Sequence, residues 1–124
     1  MNIQVVVYGL SWRITNVSGL FRWPPLLAAA TTMGSTTVFD SGLCPDSVSL
    51  AHEWFHVSHT SWLRYLVSVT IGRLWGSDYW RQEESSANLY GTAHMNDPAF
   101  VRLAAQVRSQ IPSNIPEVRI NHLV

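Results

Sequence analysis

Two histidines four residues apart, with a glutamate directly after the first, constrain this chain more than any other feature: Ala51-His52-Glu53-Trp54-Phe55-His56-Val57-Ser58-His59. On an α-helix, residues four apart lie one above the other on the same face, so His52 and His56 present their imidazoles to a single point. Zinc takes such nitrogens at about 2.0–2.1 Å and needs a third protein ligand, with a position left for water where it does chemistry. The pattern therefore calls for a helix through this segment and for a second element that carries another donor to it. Glu53, one step round the helix, stands beside the metal rather than on it. From there it can take a proton from the attacking water and hand it to a leaving amine.

The third ligand must come from elsewhere in the chain. His59 shares the face of His52, but at 1.5 Å rise per residue their Cα atoms stand about 10 Å apart along the axis, too far for all three histidines to close on one ion. His59 is expected at the rim of the site or behind a ligand. Further along comes Glu83-Glu84-Ser85-Ser86-Ala87-Asn88. Glu84 and Asn88 share a helix face. Glu84 would complete a two-histidine, one-glutamate set, and Asn88 would accept the free ring N–H of a ligand histidine. Ala87 would let the two helices approach closely. Cys44 precedes the motif and is expected to be a small, partly buried side chain rather than a ligand.

Local patterns place these residues on elements. Residues 3–8 are β-branched and apolar and predict an opening strand. Ser11 to Pro25 shows no regular pattern, with Gly19 and Pro24-Pro25 marking a break. Thr31-Thr-Met-Gly-Ser-Thr-Thr-Val-Phe39 predicts one strand bent at Gly34, followed by a turn over Asp40–Pro45. Asp46 or Ser47 caps a helix reaching to about Thr60. Trp62 to Trp75 is compatible with a helix or a strand. Ser77 or Asp78 caps a further helix reaching to about Ala93. Asp97 followed by Pro98 starts a last one, whose Phe100, Leu103, Ala104, Val107 and Ile111 recur at core spacing. Pro112 ends it, and an extended tail follows.

A chain of 124 residues without a repeat or linker predicts a single domain over 1–124 with one core. Only 13% of its residues are charged, about half the usual share, which argues against disorder. Eight arginines face eight acidic residues with no basic stripe among them, so neither nucleic acid nor an anionic membrane is an expected partner. One cysteine permits no internal disulfide. The N-terminus lacks a basic leader, and the apolar run from Trp62 to Trp75 carries Arg64 and Arg73 and is too short to span a bilayer. The expectation is a soluble, cytoplasmic protein.

The pairing of His52-Glu53-x-x-His56 with Glu84-x-x-Ala87-Asn88 resembles the gluzincin metallopeptidases, in which a zinc-binding helix is followed by a second helix that donates a glutamate. The short interval and Val57 after the second histidine look most like the minimal gluzincins, small zincin-like domains. Thr32-Met-Gly-Ser-Thr-Thr-Val-Phe39 is similar to the threonine-and-glycine edge strand that precedes the zinc helix there. The resemblance covers roughly residues 31 to 92. It implies an α+β domain, mainly helical, with a short edge sheet before the zinc helix and Zn2+ held by His52, His56 and Glu84. It also implies a peptide or protein substrate paired alongside Thr32–Phe39. The sequence departs from the family in having His59 where many members have Gln, Asn88 where Asp is usual, and the bulky Trp54 and Phe55 inside the motif. In larger gluzincins a Tyr or His also stabilises the oxyanion, and Tyr79, Tyr90 and His94 are candidates that spacing does not separate.

Two functions follow as expectations. One is zinc-dependent peptide hydrolysis with Glu53 as general base. The other is a zinc-stabilised interaction module, a homo-oligomer or a subunit of a larger assembly, which the abundance of Trp suits. Glu53 favours the first, because a purely structural site has no use for a carboxylate there. Structural zinc is also usually closed by four protein ligands.

Overall fold

The computed structural model describes residues 1–18, 30–59 and 78–119, excepting the side chains of 78–80. These residues form an α+β arrangement in the order β1 (Asn2–Val7), β2 (Leu10–Val17), β3 (Ala30–Met33), β4 (Thr36–Asp40), β5 (Cys44–Pro45), α1 (Ser47–His59), α2 (Asp78–Ala93), α3 (Pro98–Ser109) and β6 (Glu117–Val118). Strands β1 to β4 make one mixed sheet in the order β1-β2-β4-β3, in which the β2–β4 pair is parallel and the other two pairs are antiparallel. The sheet is thus wider than the short edge sheet expected from sequence.

The difference has two sources. Residues 11–17 lie in the stretch read as irregular, yet they belong to β2, which pairs with β1 from Leu10 to Thr15. Its alternation is real: Trp12 and Ile14 are buried while Ser11 and Arg13 face out, the period-two pattern of a half-buried strand. The turn joining it to β1 is Tyr8-Gly9, both at positive φ (48° and 82°), as a two-residue type I′ hairpin requires. Thr31–Phe39, read as one bent strand, is instead a hairpin. Gly34, at φ 63°, opens a two-residue turn that sets Thr32 opposite Thr37 and Met33 opposite Thr36. As a result β4 is interior, and β3 is the outermost strand on its side among the described residues.

Helix α1 lies between this sheet and α2. Its start is fixed by Asp46, whose Oδ1 accepts from the Ser49 backbone N–H at 2.9 Å and from the Ser49 hydroxyl at 2.8 Å, satisfying a donor that the helix terminus would otherwise leave open. On the sheet side the Trp54 ring packs on Trp12, centroids 5.5 Å apart. Both are core residues with Ile14, Phe39, Leu50 and Phe100, and each such side chain contributes about 1.5–3 kcal/mol by leaving water. On the other side α2 comes very close. Ala87 is fully buried, and a Cβ placed on Gly91 would stand 2.8 Å from the Val48 carbonyl oxygen. The predicted small residue at Ala87 is therefore joined by Gly91 one turn later.

Helix α3 begins as expected, with Asp97 accepting from the Ala99 N–H at 3.0 Å and Pro98 in the first turn. Its stripe of Phe100, Leu103, Ala104 and Val107, with Ile111 beyond the helix end, is buried. The chain then returns. β6 pairs in parallel with β5, and the Asp46 N–H donates to the Val118 carbonyl at 3.0 Å. Cys44 in β5 is fully buried. The segment Trp62–Trp75 and the Pro24-Pro25 break lie outside the described residues. Among those described, no helix is long and apolar enough to cross a membrane.

Candidate metal centre

Helices α1 and α2 bring His52, His56 and Glu84 together. His52 and His56 follow one another on the α1 face turned to α2, their rings 5.1 Å apart at 69°. Glu84, near the start of α2, reaches both: its Oε2 lies 3.1 Å from His52 Nε2 and its Oε1 lies 2.9 Å from His56 Nε2. One donor atom from each residue falls within 4.8 Å of the other two. A tetrahedral ion with ligands at about 2.0–2.1 Å spaces its donors roughly 3.3 Å apart, so little movement separates this cluster from a coordinating one. The donor set of two imidazole nitrogens and one carboxylate oxygen is of the kind that holds catalytic zinc. The three side chains are buried, at 2%, 5% and 1% exposure.

Glu53 is also buried, at 2% exposure, and is held from the sheet: the Thr32 hydroxyl of β3 donates to its Oε2 at 2.5 Å. Its charge, like that of Glu84, acts on His56. The burial of His56 disfavours the imidazolium, but the carboxylates of Glu83 and Glu84 beside its ring and the charge of Glu53 outweigh it. Together they raise the ring pKa to about 10.

The structure places the remaining candidates differently. His59 ends α1 exposed, stacked on Phe55 with centroids 4.3 Å apart, and its Nδ1 lies 3.1 Å from the Phe55 carbonyl oxygen. It is not part of the converging group. Asn88 is half-buried one turn after Glu84. A carboxylate does stand at the outer nitrogen of His56, that of Glu83, whose Oε1 lies 3.8 Å from Nδ1. The sequence carried a signal for this in its doubled glutamate. Adjacent helix residues diverge by about 100°, so Glu84 can face both imidazoles while Glu83 reaches round to the back of one.

Of the oxyanion candidates, Tyr90 has its hydroxyl pKa raised, chiefly by burial. His94 stacks on Tyr90 with centroids 3.9 Å apart, and its Nδ1 lies 3.0 Å from the Tyr90 carbonyl oxygen. Both belong to an aromatic cluster with Phe55 and Phe100. Tyr79 is in the first turn of α2, and its side chain is outside those described.

No family model, curated protein or solved structure was found to match the chain.

Proposed function

We propose that this chain is a zinc-dependent peptidase in which His52, His56 and Glu84 hold the metal and Glu53 is the general base. The observation that carries the reading is the convergence of three buried donor side chains from two helices, with a carboxylate at the adjacent position of the motif. Zinc bound there would polarise the scissile carbonyl and make its water acidic enough to be deprotonated near neutral pH. The chain's own contribution begins with Glu53, which accepts the proton of the attacking water and returns it to the leaving amine. Glu83 orients the His56 ring from behind. The strand beside Glu53 is β3, outermost among the described strands, so an extended peptide pairing with residues 30–33 would pass the base.

The reading is tested by Glu53→Gln. Zinc content and folding should be retained, while hydrolysis of a peptide library or an unfolded protein should fall by about 10²–10⁴-fold. Full activity in this variant would remove Glu53 from the mechanism.

A second reading is favoured by one observation, the enclosure of Glu53 and all three ligand residues. In it the metal ties α1 to α2 in an interaction module and nothing is turned over. Protein carrying one zinc per chain that cleaves no member of the library would favour this reading over the peptidase.

A further inference from the structure

Glu53 is the end of a buried line of hydrogen bonds that starts at Trp12 on β2. The Trp12 indole N–H donates to Thr37 Oγ1 at 2.8 Å, Thr37 Oγ1 lies 2.8 Å from Thr32 Oγ1, and Thr32 Oγ1 donates to Glu53 Oε2 at 2.5 Å. All four side chains are buried, at 1%, 0%, 7% and 2% exposure. The direction of the line is fixed by proton counting. An indole nitrogen can only donate, and each hydroxyl has a single hydrogen. With Glu53 ionised, Thr32 gives its hydrogen to the carboxylate, so the hydrogen between the two threonines must come from Thr37. Three donors thus point the same way and end on a charge, the arrangement in which neighbouring bonds polarise one another and the last one is charge-assisted.

The geometry of the sheet makes the line possible. Trp12 is on β2, Thr37 on β4 and Thr32 on β3, three neighbouring strands, and the β3–β4 register sets Thr32 directly opposite Thr37. The Trp12 ring is itself fixed by its contact with Trp54, the residue that follows Glu53. Helix and sheet therefore hold the carboxylate from two directions. A glutamate side chain has three rotatable bonds and gives up rotamer freedom when fixed. A base, moreover, acts only when held close to its productive position.

We infer that Thr32, anchored through Thr37 to the Trp12 indole, is the positioning residue of Glu53, holding its carboxylate beside the metal centre. The inference rests on the peptidase reading for its chemical meaning, though the hold itself does not require turnover.

Two measurements separate the hold from the activity. In protein labelled with 13C at the glutamate carboxyls, the Glu53 resonance is assigned by its loss in Glu53→Gln. Thr32→Val, nearly the same shape without the hydroxyl, should move that resonance, with and without zinc; Thr32→Ser should restore it, and Trp12→Phe should move it less. An unmoved resonance in a folded Thr32→Val protein overturns the inference. On the peptide library, Thr32→Val should lower kcat by ~10–100-fold with KM and zinc content unchanged, and Thr32→Ser should recover most of the loss. A kcat that falls only in step with zinc content, or does not fall while the wild type is active, overturns the positioning role. A wild type that binds zinc and cleaves nothing refutes the peptidase reading, and a resonance that still moves in Thr32→Val then supports the hold by itself.

Discussion

The carboxylate of Glu84 spans both histidines of α1, 3.1 Å from His52 and 2.9 Å from His56, so the candidate metal centre and the α1–α2 interface are one structure. Each variant that alters one should be felt in the other.

His56→Ala should reduce bound zinc from one equivalent to none, because a histidine–carboxylate pair leaves the ion with too few protein donors. Metal analysis of protein purified without added zinc decides this. Full stoichiometry in the variant would remove His56 from the ligand set.

Chelation should lower the melting temperature, since an ion bound only by the folded chain adds to its stability. At free zinc a hundred times the dissociation constant the linkage is worth about 2.7 kcal/mol. A melting curve unchanged after verified metal removal would show that the ion contributes nothing to the fold.

Glu83→Gln should keep the fold and weaken zinc affinity by about 10–100-fold, as losing a carboxylate behind a ligand histidine generally does. Competition with a chromophoric chelator would measure it. An equal loss in Asn88→Ala with none in Glu83→Gln would return the role to Asn88.

Gly91→Ala should destabilise by about 1–3 kcal/mol, because its new methyl meets the Val48 carbonyl oxygen, a backbone atom, at 2.8 Å. The helices must separate, and zinc affinity should fall with stability. Thermal melting of loaded and stripped protein gives both numbers.

The Tyr8 hydroxyl donates to Asp97, the cap of α3. That bond first, and the Ala99 N–H second, hold the Asp97 carboxyl below its ordinary range, while the same bond to Asp97 raises the Tyr8 hydroxyl. Asp97's contribution is complete above its unfolded pKa near 4 and lost as pH falls through the depressed folded value. Tyr8's is complete below about 10 and lost as pH rises through its raised one. Wild type should therefore melt above Tyr8→Phe across the intervening range, and the two curves should converge toward both extremes. A gap that persists unchanged at low pH would exclude the pair as its source.

The convergence of His52, His56 and Glu84 was legible because helical spacing is a strong geometric rule: His52 and His56 required a shared face, and the need for another donor singled out Glu84. The core stripe of α3 was legible for the same reason, and the start of α1 was read to within one residue, as Asp46 or Ser47. The sheet was harder. Thr31–Phe39 carries one continuous β pattern, and only the left-handed backbone at Gly34 folds it into a hairpin. Glu53's partner could not be read either, because pairing Thr32 with Thr37 and both with Trp12 depends on strand register and order, which propensity does not encode. His59 was drawn toward the site by its face alone, whereas stacking on Phe55 disposes of it locally.

The pairing of Cys44–Pro45 with Glu117–Val118 bears on when the site can mature. The first turn of the helix that carries both histidines is braced by a strand much further along the chain. On a ribosome the two histidines emerge long before that brace does. A nascent chain can offer imidazoles to an ion while α1 is still unanchored, so correct metal loading should wait for β6, and a stalled chain ending before residue 117 should hold zinc loosely.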